Sequence, residues 1–269
     1  MRRVRTKTQG LDKSLLLDTC LLAGRIMIEG GSEMYRVEDT MNRIARNAGI
    51  SAPVTFTTPT GIFISIQGEP YMQLSPVSQR GIDMEKVAGV NQLSRHFADK
   101  QISLFALRAK LMDLDQNTPY FPLWLQAIGS AVVSATLMIV FAQTYDWFDV
   151  PLAAIAGTVG FLVAYGVAAK TKIRFISETL GALSLGLVAL IGVRIGAGQN
   201  LDNVIIGAVM PLVPGVAITN SIRDMLAGNL LSGMARGMEA ILSAAAIGVG
   251  IASSSDSFRG QPWLIVYNF

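Results

Sequence analysis

Hydrophobic residues are distributed in two different ways along this chain. Up to about Thr118 they recur at helix or strand spacing among charged residues, and from about Tyr120 they run in long blocks. Asp12 to Ile28 has helical periodicity, with Leu15, Leu22 and Ile26 in one stripe and Leu16, Cys20, Ala23 and Met27 in its neighbour. Gly30-Gly31 ends that pattern. Ser32 then reads as the N-cap of a second helix, with Glu33 in its first turn near the positive dipole end. Met34, Val37, Met41, Ile44, Ala45 and Ala48 recur at helical spacing up to Gly49, a natural stop. Asp39 and Arg43 stand four apart on the exposed face.

The period then changes. Val54 to Thr58 and Ile62 to Ile66 are β-branched or aromatic runs around a Pro59-Thr60-Gly61 turn. Gln67 to Pro70 is a second turn, and Tyr71 to Leu74 reads as a third strand. Two helical patterns follow. Asp83 to Ala98 turns Val87, Val90 and Phe97 inward, and Ser103 to Asp115 turns Leu104, Leu107 and Leu111 inward. Residues 1–118 are therefore expected to form a small α+β domain.

Residues 119–269 are expected to form a transmembrane bundle of about five helices, since crossing the hydrocarbon core takes roughly 20 apolar residues. The expected spans are Leu123 to Thr144, Leu152 to Ala169, Phe175 to Val193, Val204 to Thr219 and Leu230 to Ala252. The fourth is interrupted by Pro211 and by Pro214-Gly215. Small residues four apart let helix backbones approach closely. Ala156/Gly160, Ala182/Gly186, Gly192/Gly196 and Gly233/Gly237 have that spacing, and intrachain packing is the first reading of each, with an oligomer contact as the other.

Charge sharpens the division. Of the 22 Lys and Arg residues 15 precede Pro119, as do 12 of the 19 Asp and Glu. Bases and acids interleave there, which argues for a solvated surface and against a nucleic-acid partner. The leading bases do not read as a signal peptide, because Asp18 and Arg25 interrupt the apolar run behind them. Basic residues in the N-terminal domain, at Lys170, Lys172 and Arg174, and at Arg223 and Arg236 alternate with a loop that has no base and one whose only base is Arg194. By the positive-inside rule the N-terminal domain is expected in the cytoplasm and, after an odd number of spans, the C-terminus outside. Trp124, Tyr145, Trp147 and Trp263 fit interfacial anchors. Cys20 is the single cysteine and reads as a buried apolar residue; His96 is the single histidine. No catalytic triad, phosphate loop or metal spacing is present, and no cofactor is expected.

Candidate chemistry gathers in the second part. Pro211 and Pro214 each remove an amide donor and clash with preceding carbonyls. Freed backbone at membrane depth is tolerated where it is buried in protein or lines a watery cavity. Such breaks either build midplane binding sites or only kink a helix for packing. Asn220, Arg223, Asp224, Arg236, Glu239 and Glu178 lie in or near the spans, where charges face a bundle interior, a cavity or, by snorkelling, the interface. A carboxylate there could carry a proton or hold an ammonium group; an arginine could hold a carboxylate through its fork.

The Pro-Gly break with its Thr219-Asn220-Ser221-Ile222-Arg223-Asp224 continuation, followed by Ser232-Gly233-Met234-Ala235-Arg236-Gly237-Met238-Glu239-Ala240, resembles the threonine/serine exporter family. Ala23-Gly24-Arg25, Gly30-Gly31-Ser32-Glu33, Tyr35-Arg36-Val37-Glu38 and Thr58-Pro59-Thr60-Gly61-Ile62 resemble that family's N-terminal motifs. The resemblance implies export of small amino acids, or of dicarboxylates such as succinate in split systems, across the bacterial inner membrane. Single-chain members carry about ten spans, and an inverted-repeat half would carry about five. The resemblance therefore implies the larger subunit of a two-component exporter, with a smaller multi-span membrane subunit as partner and a homo-oligomer as a further possibility. A membrane-anchored enzyme or sensor, with its chemistry in the N-terminal domain, is the competing expectation.

Overall fold

The computed structural model describes residues 12–70, 72–78, 81–117, 121–142, 147–171 and 173–259. Tyr71, Tyr145, Asp146, Lys172, Trp263 and the basic residues before Asp12 lie outside them. The chain divides into two compact units, Met1–Pro119 with Val216–Gly237, and Tyr120–Gly215 with Met238–Phe269. Placement of Val216–Gly237 in the first unit is a feature that a division of the sequence into two halves does not contain.

The first unit is built on α1 (Lys13–Glu29). Asp12 caps it by accepting from the Ser14 and Leu15 amides. The stripes of α1 are buried except at the half-buried Leu22, because α2 (Met34–Asn47), α3 (Met84–Ala98), α4 (Leu104–Asn117) and the sheet pack around it. Leu16, Cys20, Ala23, Ile26 and Met27 have no exposed surface. Burial of each large side chain contributes about 1.5–3 kcal/mol. Gly24 sits where a Cβ would meet Met41 Sδ at 2.5 Å and Ile62 Cδ1 at 3.2 Å, so glycine lets α1 approach α2 and the sheet. Arg25 ties α1 to α4 through Asp115 at 2.6 Å.

Strands β1 (Pro53–Thr58), β2 (Gly61–Ile66) and β3 (Met72–Pro76) form an antiparallel sheet in the order β1-β2-β3. Phe56 pairs with Phe63 and Phe63 with Leu74, while Ile62 and Ile64 on the alternate face enter the core. One expectation fails at α2. Ser32 does not cap it; Glu33 is the N-cap residue and makes no capping bond with its own side chain. The cap comes instead from Asp224, described below. Gly49 follows the end of α2 at φ +100°, a conformation that penalises a Cβ.

The second unit contains α5 (Leu123–Ala142), α6 (Val150–Thr171), α7 (Arg174–Arg194), α8 (Leu201–Val209) and, from Met238 onward, α10 (Leu230–Arg259). Its core joins Met138 of α5, Ala153 and Ala156 of α6, Leu185 and Ala189 of α7, and Val204 and Ala208 of α8. The outer surface is apolar: Ile128, Val132, Val140, Ile155 and Ile191 are each at least half exposed. Extensive exposed apolar surface on long helices suits lipid rather than water. Small residues mark close crossings. A Cβ on Gly160 would lie 3.0 Å from Leu185 and one on Gly181 2.8 Å from the Gly160 carbonyl, so this packing is within the chain.

Four helices among the described residues are long and apolar enough to cross a membrane: Leu123–Phe141, Val150–Thr171, Arg174–Arg194 and Leu230–Ser254. The expected fourth span, Val204 to Thr219, is not one helix. It divides into α8 and α9 (Gly215–Leu226), of 9 and 12 residues, with Met210 to Pro214 between them. Nine helical residues rise only about 14 Å, half of the hydrocarbon core. Pro214 lacks the amide that a continuous helix would use, and Gly215 starts the new helix with its N–H turned to the Val213 carbonyl at 2.8 Å. The protein is thus a multi-pass helical membrane protein with a small three-stranded sheet in its N-terminal part.

Candidate functional site

Two charged clusters collect the ionisable residues singled out in the sequence. The first lies within the second unit. Arg174, at the start of α7, donates from Nε to Glu178 Oε1 at 2.7 Å and from Nη1 to Glu239 Oε1 of α10 at 2.8 Å. Ser243, one turn beyond Glu239, donates to the same Glu178 oxygen at 3.1 Å. The Arg174–Glu178 spacing of four residues is the favourable one on a helix face. Arg174 has not been among the candidates for a site role; the signal for it was present in its spacing from Glu178, but its partner on α10 needs the fold.

Glu178 is 7% exposed, and its second oxygen, Oε2, has no hydrogen-bond partner among the described residues. A buried carboxylate oxygen left unpaired is costly. Arg174 thus stands against two carboxylates, Glu178 and Glu239, and a proton would satisfy the bare Glu178 oxygen. Among the described residues no group of three His, Cys, Asp or Glu side chains is placed for a metal ion.

The second cluster lies within the first unit and grips the Gly31–Met34 turn. Asn220 donates to the Gly31 carbonyl at 2.8 Å, and Arg236 Nη2 to the Ser32 carbonyl at 2.8 Å. Arg223 donates to Glu33 Oε1 at 2.6 Å, while Arg36 reaches Glu33 Oε2 at 3.2 Å. Asp224 accepts from the Met34 amide at 2.9 Å, and its other oxygen lies 3.7 Å from Arg236 Nε. Asp224 is fully buried. Ser221 Oγ donates to the Gly233 carbonyl at 2.8 Å, which pins α9 against the first turns of α10.

Burial raises the Asp224 carboxyl above its ordinary range, and the Met34 amide and Arg236 only partly offset that. For Glu33 burial also acts upward, but a backbone hydrogen bond and those from Arg223 and Arg36 outweigh it, so its pKa is lowered. Most of these polar groups serve the turn or a neighbouring charge, while the second Asp224 oxygen is buried with no hydrogen-bond partner among the described residues and has only Arg236 Nε at 3.7 Å. That is the arrangement of a structural clamp.

Pro211 and Pro214 shape the α8–α9 break. Pro211 is half-buried in a turn and Pro214 is buried. Leu212 between them lies 3.4 Å from where a Cβ on Gly181 of α7 would stand. Gly215 has open space around its Cβ position, so its presence reflects helix initiation rather than crowding. The structure thus sorts the sequence candidates into three places. Glu178 and Glu239 meet at Arg174; Asn220, Arg223, Asp224 and Arg236 meet at the Gly31–Met34 turn; and the prolines with Gly215 form the break.

A small N-terminal α+β part and a bundle of long apolar helices with an internal Arg–Glu–Glu cluster define a multi-pass membrane protein. Residues 18–256 match the family described as "Putative threonine/serine exporter", and the chain belongs to that family. It is also similar to the "Probable threonine/serine exporter" of Mycobacterium tuberculosis, at 24% identity over 92% of this chain and 48% of that protein. The chain therefore spans about half the length of that relative. No solved structure matches it.

Proposed function

We propose that this chain is a subunit of a secondary exporter that moves a small amino acid, threonine or serine, across the bacterial inner membrane, coupled to protons. The observation that carries the chemical part is Arg174 bridging Glu178 and Glu239, beside a buried carboxylate oxygen with no partner. Family membership supports the transport class and the amino-acid substrate. A buried carboxylate with a bare oxygen, as Glu178 has, is suited to taking up and releasing a proton. Protonation of either carboxylate would leave Arg174 with a single charged partner, and so couple proton occupancy to the contact between α7 and α10.

The rest of the transport path is supplied, in this reading, by a smaller multi-span membrane subunit. The interrupted α8–α9 segment supports the proposal in the way broken helices do in other secondary transporters, by exposing backbone groups to a cavity. With α8 and α9 crossing as two short arms the span count is five, with residues 1–118 in the cytoplasm and the C-terminus outside. Succinate-like dicarboxylates are the second substrate class, with Arg174 as their anchor.

The experiment is counterflow in liposomes containing this chain with and without its membrane partner, over serine, threonine and succinate. Expected are serine and threonine exchange that needs both subunits, and loss of its pH dependence in Glu239→Gln. Unchanged flux and pH dependence in that variant would remove Glu239 from the coupling step. Full export by this chain alone would sink the two-subunit arrangement.

A further inference from the structure

A solvent-open cleft of about 180 Å³ lies in the first unit between α1 and α4, away from the clamp on the Gly31–Met34 turn. Its walls are two matched rows. Asp18, Leu22 and Arg25 stand at intervals of four and three residues on α1, and Arg108, Met112 and Asp115 repeat those intervals on α4. Such spacing places each row on one helix face. At one end the rows are closed, because Arg25 holds Asp115 at 2.6 Å and Glu29 at 3.2 Å. At the other end Asp18 and Arg108 have the same opposite charges but form no ion pair among the described residues. Both are half-buried and face the cleft.

We propose that this cleft binds a small zwitterionic amino acid, with Asp18 receiving its ammonium group and Arg108 its carboxylate. The four charges lining the cleft sum to zero. Arg25 and Lys86 together balance Asp115 and Glu29 at the closed end, so one cationic and one anionic group, Arg108 and Asp18, are left to face a ligand. A dicarboxylate would meet Arg108 but also the uncompensated Asp18, and a diamine would meet the reverse conflict. A zwitterion satisfies both, and the arginine fork matches a carboxylate. Leu22 and Met112 offer the apolar wall that a short side chain needs, and the volume limits that side chain to a small one. A site here, separate from the bundle, would let the exporter respond to the amino acid on the side where the N-terminal domain resides. Only this regulatory role, and the choice of serine and threonine as first ligands, rest on the transport reading.

The test is titration calorimetry on the full-length chain in detergent, with L-serine, L-threonine and succinate, and with glycerate as a serine analogue lacking the ammonium group. Wild type is expected to bind serine or threonine and to prefer serine over glycerate. Loss of one charge-assisted contact weakens binding by about tenfold or more. Asp18→Asn should therefore lose the preference for serine over glycerate, and Arg108→Gln should weaken serine and glycerate alike. Thermal midpoints of both variants check that the fold persists, and a fall in affinity without the change in serine-to-glycerate preference counts against Asp18 as the ammonium site. Serine binding that survives both substitutions, or no serine or threonine binding by wild type, overturns the proposal. Cleft binding together with absent amino-acid counterflow would leave this inference standing and sink the transport reading alone.

Discussion

Asp224 accepts a hydrogen bond from the backbone N–H of Met34 at 2.9 Å, across 190 positions of sequence. It supplies the first turn of α2 with the acceptor that neither Ser32 nor Glu33 provides. Removing that oxygen should destabilise the first unit. Asp224→Ala is expected to cost about 1–3 kcal/mol, since it deletes a buried cap and leaves the Met34 amide without its acceptor. Asp224→Asn keeps an acceptor for Met34 and should cost distinctly less. Thermal unfolding in detergent, with limited proteolysis of the N-terminal unit, checks the order; equal losses in the two variants would refute the cap.

The pH dependence of this clamp has two opposed contributions. The folded-state pKa of Glu33 is lowered, so its stabilisation is present above the ordinary Glu range and is lost as pH falls through that range. The folded-state pKa of Asp224 is raised, so its contribution runs the other way and declines as pH rises through the ordinary Asp range. Glu33→Gln should lower the midpoint most near pH 7, and the gap from wild type should narrow toward about pH 3. A gap independent of pH would show that Glu33 acts by packing alone.

In the bundle, Arg174 uses two separate nitrogens, Nε for Glu178 on its own helix and Nη1 for Glu239 of α10. Lysine carries one ammonium on a flexible stem and does not reproduce a rigid fork. Arg174→Lys is therefore expected to behave more like Arg174→Gln than like wild type, with a loss of roughly 1–2 kcal/mol after allowance for the half-exposed arginine. Detergent thermal midpoints for the three proteins test this.

Close helix crossings give a steric prediction. A Cβ on Gly157 of α6 would collide with the Ser134 side chain of α5, at 2.8 Å from its Cβ, and would lie 3.0 Å from the Ala208 carbonyl of α8. Gly157→Val should destabilise the bundle by about 1–3 kcal/mol through overpacking. The same change at Gly166 has nothing within 4 Å to meet and should be nearly neutral. Similar midpoints for the two variants would contradict the packing described for α5, α6 and α8.

Cys20 offers a probe of the first unit. Its thiol is fully buried and burial pushes its pKa up to about 12, so almost no thiolate exists at neutral pH. Maleimide labelling of the native chain should be slow, and should accelerate sharply on unfolding. Rapid labelling of the folded protein would place α1 elsewhere than in the core.

Much was decided by local pattern. The helical periods before Asn117, the alternation around Pro59-Thr60-Gly61 and the long apolar blocks after Phe121 set the element order, because each depends on neighbours within a turn or two of chain. The same is true of the Asp12 cap, the Gly49 stop and the helix break at Pro214. The family's motifs were equally legible as separate patches.

What joins those patches depends on distant contacts, and only the tertiary structure decided it. The Asn220 to Asp224 motif and the Gly31–Met34 turn are far apart in sequence, yet one satisfies the unpaired backbone groups of the other. Ser32 has the chemistry of a cap, but a buried carboxylate from α9 takes that place. Likewise the spacing of Arg174 from Glu178 is legible in the sequence, but its bond to Glu239 exists only once α7 and α10 pack. Hydropathy gave the Val204 to Thr219 stretch the composition of a span, and backbone hydrogen bonding divided it into two short helices. Sequence determined which segments are apolar and where helices start and stop; the fold alone determined which buried polar groups meet, because a charge or an amide taken out of water must be answered by whatever partner packing brings to it.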